Sequence, residues 1–175
     1  MFKYLLNFIL LPLFFVACTN TPPSTSQNRG EALSKLLRSL DKSIPSKEAQ
    51  LLSDEIFRET HALRKKFKPV SEPHFNNFLI NVGVKDKGLC YQWSDALYLF
   101  FSKKQSAHFE FHLLVSHKGE YFYEHNVLVV VAKGKNILDG VIIDPWRDPE
   151  QLYFSKVRED KKYQWKHRGE RGCLR

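Results

Sequence analysis

Gly88-Leu89-Cys90-Tyr91-Gln92-Trp93-Ser94-Asp95 sets a lone cysteine at the start of a helix, and the rest of the chain is read outward from it. From Trp93, apolar residues recur at Ala96, Leu97, Phe100 and Phe101, the spacing of a helix with one buried face. Gly88 breaks the chain just before it. A thiol at a helix N-terminus lies near unpaired backbone N–H groups and the positive end of the helix dipole, which favour thiolate. Free cysteine is also among the most buried residue types, so the same position suits a core residue. Partners elsewhere in the chain decide between these two uses.

Upstream, the pattern is helical. Leu33, Leu36, Leu37 and Leu40 predict a helix over 31–40, which Ser43-Ile44-Pro45 interrupts. A second helix is expected from Ser46, as N-cap, to Phe67, with Ala49, Leu52, Ile56, Leu63 and Phe67 on one face; Pro69 ends it. Pro73 opens a third through Phe75, Phe78, Leu79 and Val82. Downstream of the cysteine helix the period changes to two. Phe109, Phe111, Leu113 and Val115 alternate with His108, Glu110, His112 and Leu114, as in a half-buried strand. After a turn at residues 117–120, a strand over 121–132 contains Val127-Leu128-Val129-Val130-Val131, a run that suits burial on both faces. A third strand is predicted over 137–143, stopped by Asp144-Pro145-Trp146, with more strand around residues 152–154 and 163–165. The expected class is α+β: N-terminal helices, then a cysteine-bearing helix packed on an antiparallel sheet.

That order supplies partners for Cys90. If Gly134-Lys135 is a two-residue hairpin loop, Val127 faces Ile142 and His125 faces Asp144, side by side on one face of the sheet. The carboxylate would fix the imidazole's tautomer and stabilise its charged form, and the ring's other nitrogen would meet the sulfur. A one-residue slip would separate them. His108 and His112 share a polar strand face with Glu110 and His117 lies in the turn, while His61, His74 and His167 are on segments with no reason to approach. Asp139 has the opposite parity to Asp144 in this register.

At these residues the chain resembles the transglutaminase-like branch of the papain-like cysteine hydrolase superfamily. Gly88-Leu89-Cys90 matches its Gly-x-Cys helix start, His125 its strand-opening histidine, and Asp144-Pro145-Trp146 the Asp-Pro-x that closes the next strand. The resemblance spans residues 76–146. It implies Cys90 as nucleophile, His125 as general base and Asp144 as orienter. It further implies acyl transfer at amide bonds, as a peptidase, amidase, deamidase or transglutaminase. The Cys90 backbone N–H is expected to face the oxyanion, with Asn77, Asn81 or Gln92 as further donor. Asn126 and Val127 follow the histidine where many members of the family have an aromatic residue.

The N-terminus carries a separate signal. Lys3 precedes an apolar run over residues 4–16 that ends in Phe15-Val16-Ala17-Cys18 and resembles a bacterial lipoprotein signal peptide with its lipobox. The run is shorter than the ~20 apolar residues of a membrane-spanning helix. The resemblance implies cleavage before Cys18 and lipidation of Cys18. Thr19, in place of a retention aspartate, implies a cell-envelope location at the outer membrane, facing the periplasm. Residues 18–30 hold no large apolar side chain and read as a flexible tether, which leaves residues 31–175 as one domain.

Composition fits this reading. Of 175 residues 43% are hydrophobic and 14% aromatic, enough for a substantial core. The net charge is +8, or +7 once residues 1–17 with Lys3 are removed. A basic chain suits anionic partners, but there is no RNA-binding motif, zinc-finger spacing or helix-turn-helix pattern, so nucleic acid is not expected. Metal-ligand spacings and glycine-rich phosphate loops are lacking too, and no cofactor is expected. The reachable substrates are protein or peptidoglycan-peptide amides. Two rival readings remain: a non-catalytic envelope adaptor of the same fold, and a Cys90–Cys173 disulfide, since lipidation of Cys18 would leave an even pair.

Overall fold

The computed structural model describes residues 26–171; the leader over 1–17, Cys18 and Cys173 lie outside the described residues. Four helices come first: α1 (Ser26–Arg38), α2 (Ser46–Phe67), α3 (Pro73–Asn81) and α4 (Cys90–Phe101). Five strands follow: β1 (Phe109–Ser116), β2 (His125–Ala132), β3 (Val141–Asp144), β4 (Tyr153–Lys156) and β5 (Lys166–Arg168). All pair antiparallel, in the order β4-β3-β2-β1-β5. The α+β class expected from the sequence is the one observed. Among the described residues, no helix is long and apolar enough to cross a membrane.

The helices begin and end where local chemistry directs them. α1 starts at Ser26, five residues before the expected Glu31 and inside the predicted tether, and Arg29 there donates to the carbonyls of Gln151 and Leu152. α2 stops at Lys68, which takes a left-handed conformation (φ 46°) just before Pro69. Pro45, not Ser46, is its N-cap. Glu72 caps α3 by accepting from the backbone N–H groups of His74 and Phe75, and Pro73 occupies the first turn, where no N–H is missed.

The sheet divides two apolar layers. On one face, Leu33 and Leu37 of α1, Ile56 of α2, and Trp93, Leu97 and Phe101 of α4 pack with Leu128, Val130 and Ile143. On the other, Val127, Val129, Val131 and Ile142 are covered by Val157 and Trp165 from the C-terminal segment. Every residue of β2 is buried, so the central strand has no polar face. Each fully buried Val or Leu contributes roughly 1.5–3 kcal/mol relative to exposure, which makes β2 the strand that the two layers share.

Two predicted strands are shortened. Residues 121–124 lie in a turn, and β2 begins only at His125. Ile137–Asp139 is a single 3-10 turn capped by Asn136, so β3 begins at Val141. The β2–β3 connection is therefore longer than a two-residue hairpin, and the register moves: Val129, not Val127, faces Ile142. The shift is two residues, an even number, so every side chain keeps its face. Gly140 permits the tight return, since a Cβ there would lie 2.6 Å from the Val130 carbonyl oxygen and 2.6 Å from Val129 Cγ2.

Gly140→Ala is thus expected to destabilise the protein by about 1–3 kcal/mol, the cost of overpacking a site walled by backbone. Urea unfolding checks this; an unchanged midpoint would mean that the return is looser than its spacing indicates.

Candidate functional site

Cys90 is the first residue of α4, and the turn that leads into it is braced from four directions. Gly88 has a φ of 122°, a conformation open to glycine, and a Cβ there would lie 2.7 Å from Asn76 Nδ2. The Gly88 carbonyl accepts from Asn76 Nδ2 and from Trp93 Nε1, both at 3.2 Å. Gln92 reaches back so that its Oε1 accepts from the N–H groups of Gly88 (2.7 Å) and Leu89 (3.0 Å). Leu89, the N-cap, has no side-chain acceptor, so this back-reach does the capping. Cys90 is buried (6% exposed), and its thiol lies 3.6 Å from the Glu124 carbonyl, which accepts from it.

His125 opens β2, and Asp144 ends β3. Continued by one pair, the observed register sets Asp144 beside Val127, two residues along the strand from His125, so His125 and Asp144 are diagonal neighbours on one face. The imidazole spans the diagonal, and its Nε2 is 2.7 Å from Asp144 Oδ2. Sequence parity thus brought these two groups together although the assumed hairpin was wrong. Asp139, the competitor, pairs with Arg158 on the surface. His108 pairs with Glu48, and His112 with Glu110.

The other ring nitrogen, His125 Nδ1, is buried and makes no hydrogen bond. Cys90 adds to the upward shift of the ring's pKa. Asn126, the next residue, points to the α4 side of the sheet. Its Nδ2 lies 3.9 Å from the Cys90 sulfur and 3.0 Å from Glu124 Oε1, while its buried Oδ1 has no partner. The sulfur thus has the Asn126 amide beside it.

Electrostatics hold the ring charged. Burial pushes the His125 pKa down, but the charge and hydrogen bond of Asp144, helped by Cys90, more than offset it, and the pKa is raised to about 9. Asp144 is pushed up by burial and down more strongly by His125 and Arg147, so its pKa is lowered. Arg147 completes the support. Its Nε donates to Asp144 Oδ2 at 3.1 Å, its backbone N–H to Oδ1 at 3.0 Å, and one terminal nitrogen to Asp160 Oδ2 at 2.8 Å. Trp165 Nε1 also donates to Asp160. The imidazole sits among Trp146, Tyr163 and Trp165, with ring centroids 4.6, 4.6 and 5.5 Å away. Burial, with Asp144 beside it, pushes the Tyr163 hydroxyl up to about 12, so it stays neutral.

The sequence reading missed Asn126, Arg147, Asp160 and the aromatic cage. Arg147 lies three residues beyond Asp144, but residues 163–165, expected as strand, precede β5 without strand pairing, and nothing in the sequence places residues 160–165 over His125. His74 was expected to stay away, yet its ring packs 5.3 Å from that of Trp146. Of the three suggested oxyanion donors, Gln92 is engaged as a cap, Asn77 Oδ1 accepts from Trp146 Nε1 at 3.0 Å, and Asn81 is exposed. Among the described residues, no three His, Cys, Asp or Glu side chains are grouped to hold a metal ion. A surface depression away from these residues lies between α1, α2 and residues 149–152.

The coupled pair makes stability depend on pH in a defined sense. Because His125 is raised from 6.5 to about 9, its contribution is whole below about pH 6.5 and is lost as pH rises through about 9. Because Asp144 is lowered from 3.8, its contribution is whole above about pH 3.8 and is lost as pH falls. Asp144→Asn is expected to cost about 3–5 kcal/mol, since it strands a buried charge. The gap in Tm between it and the natural protein should be widest between about pH 3.8 and 6.5 and should narrow on both sides. A gap independent of pH, in thermal unfolding followed by circular dichroism, would contradict the charged pairing. No protein-family model, curated protein or solved structure matches the chain.

Proposed function

We propose that the protein is an envelope-anchored cysteine acyl-transfer enzyme of the transglutaminase-like branch, acting on amide bonds through Cys90, His125 and Asp144. The observation that carries this reading is the buried imidazole, bound to Asp144 through Nε2, with Nδ1 unpartnered and Cys90 acting on the ring. A buried polar atom without a partner costs free energy, and such atoms persist where function needs them.

In this mechanism Cys90 and His125 share one proton as thiolate and imidazolium; the thiolate attacks the amide carbonyl carbon, and the charge that develops on the oxygen is met by backbone N–H at the start of α4, where helical groups lack intrahelical acceptors. The proton on His125 passes to the departing nitrogen, the C–N bond breaks, and a thioester remains. His125 then takes a proton from the second nucleophile, which displaces the sulfur as thiolate and restores the thiolate–imidazolium pair. Water makes the outcome hydrolysis; an amine makes it crosslinking. Asp144, held by Arg147, keeps the ring's tautomer and stabilises its charged form. Asn126 Nδ2 is placed to donate to the sulfur as it gains charge.

Lipidation at Cys18 belongs to the same proposal and puts the enzyme at the bacterial envelope, where protein and peptidoglycan-peptide amides are within reach. The 6% exposure of Cys90 favours a second reading, a non-catalytic adaptor with the same side-chain arrangement.

Alkylation separates the two. A nucleophilic Cys90 is expected to label quickly near pH 6, about 10-fold or more slower in His125→Ala, and Cys90→Ala is expected to abolish amide cleavage or transfer while changing the stability by no more than about 1 kcal/mol. Mass spectrometry reads the labelled site. Slow labelling that is indifferent to His125, with no activity lost in Cys90→Ala, would leave the adaptor.

A further inference from the structure

Two segments border the Cys90 turn. α3 reaches it through Asn76, which donates to the Gly88 carbonyl, and the loop before β2 reaches it through the Glu124 carbonyl, 3.6 Å from the sulfur. Among the described residues, nine large hydrophobic side chains are exposed, and seven of them lie on these two segments or the chain that joins α3 to Gly88. Phe75, Phe78, Val82 and Val84 are on one side, and residues 121–123 are on the other. Elsewhere the surface is that of a basic protein of net charge +8, yet residues 121–123 carry no charge and α3 has no acidic or basic residue apart from His74. Apolar patches that flank one turn from both sides mark a contact surface rather than scattered surface residues.

The shape of the loop selects the partner. Tyr121, Phe122 and Tyr123 are 67%, 77% and 69% exposed, so they form a projecting tip and not the wall of a groove. The backbone turns tightly there, with Gly119 at a φ of 85° and both Tyr123 and Glu124 donating to the Glu120 carbonyl. A phenylalanine between two tyrosines suits a membrane interface, where the apolar ring enters the acyl boundary and the phenol hydroxyls stay among the headgroups. Chain length points the same way. Cys18 is eight residues before the start of α1 at Ser26, a span of at most about 29 Å. A domain tethered that closely meets its own bilayer continuously.

We infer that the tip formed by Tyr121, Phe122 and Tyr123, with the apolar side of α3, docks on the lipid bilayer that holds Cys18 and turns the Cys90 site toward it. The inference rests on the lipid-anchored reading above and names the class of substrate: amides presented at the membrane surface. Neither the tip nor α3 carries a Lys, Arg, Asp or Glu, so the contact is apolar and needs no anionic lipid.

The test uses the full lipidated chain in zwitterionic phospholipid vesicles whose acyl chains are brominated near the headgroup. Phe122→Trp adds a reporter at the tip, and Lys103→Trp adds one past the far end of α4; both sites are exposed. Emission from Trp93, Trp146 and Trp165 is subtracted using the natural chain. Loss of the added emission for Phe122→Trp, with none for Lys103→Trp, is the expected result. Retention at both, or loss at both, overturns the docking. So does retention at the tip combined with a raised KM for a soluble peptide amide in Phe122→Ser, which would make the tip a peptide contact. The same quenching in a Cys90→Ala background should be unchanged, so failure of the catalytic reading and failure of docking are read separately. Mass spectrometry of Cys18 reports independently on the anchor, and an unlipidated Cys18 overturns the inference at its base.

Discussion

Four charged groups alternate in sign through the interior beside the sheet: His125, Asp144, Arg147 and Asp160. Three of the side chains are no more than 2% exposed, and Arg147 is 12% exposed. Any one of them alone would cost several kcal/mol of desolvation, so each depends on its neighbours. The chain of pairs begins at the first residue of the central strand and ends at a carboxylate that also holds Trp165, the residue that closes the second apolar layer. Site and fold are therefore joined physically. The C-terminal segment that completes the core also completes the support for the imidazole.

The second constraint is the turn at Gly88. Its carbonyl takes two side-chain donors, and two successive N–H groups point into Gln92, so little freedom remains for the backbone that delivers Cys90. Trp93 contributes twice, through its indole N–H to Gly88 and through its ring, which packs edge-on against Phe67 of α2 at 4.8 Å. The helical layer thus sets the sulfur's position, and the sheet with its C-terminal cover sets the imidazole's. The thiol and the imidazole come from separate halves of the core and meet at the start of β2.

This division also accounts for what surrounds the site. The imidazole is walled by Trp146, Tyr163 and Trp165, which exclude water and strengthen the pairing with Asp144. Arg147 stacks on Tyr153 at 3.8 Å while it donates to both carboxylates, so its guanidinium is fixed by packing as well as charge. Cage and ion pairs hold a single orientation of the ring, with Nε2 committed and Nδ1 free to meet the sulfur.

Much was legible in the sequence because it depends on short separations. Helical spacing placed α2 and the cysteine helix, alternation placed β1, and the Val-rich run marked the strand buried on both faces. The parity of His125 and Asp144 survived a wrong hairpin because the true connection moves the register by an even number of residues. Residues 121–124 and 137–139 kept strand-like composition but turned instead, since turn geometry outranks propensity where the chain must reverse. Periodicity by itself determined the α+β class, the cysteine at a helix start, and the shared face of His125 and Asp144. Only the tertiary structure decided the 2.7 Å contact, the unpartnered Nδ1, and the approach of Asn126, Arg147, Asp160 and the aromatic cage. The reason is physical: burial and periodicity act between near neighbours in the chain, whereas these contacts depend on how loops return over long separations, as at Gly140, where the missing Cβ lets the strands close.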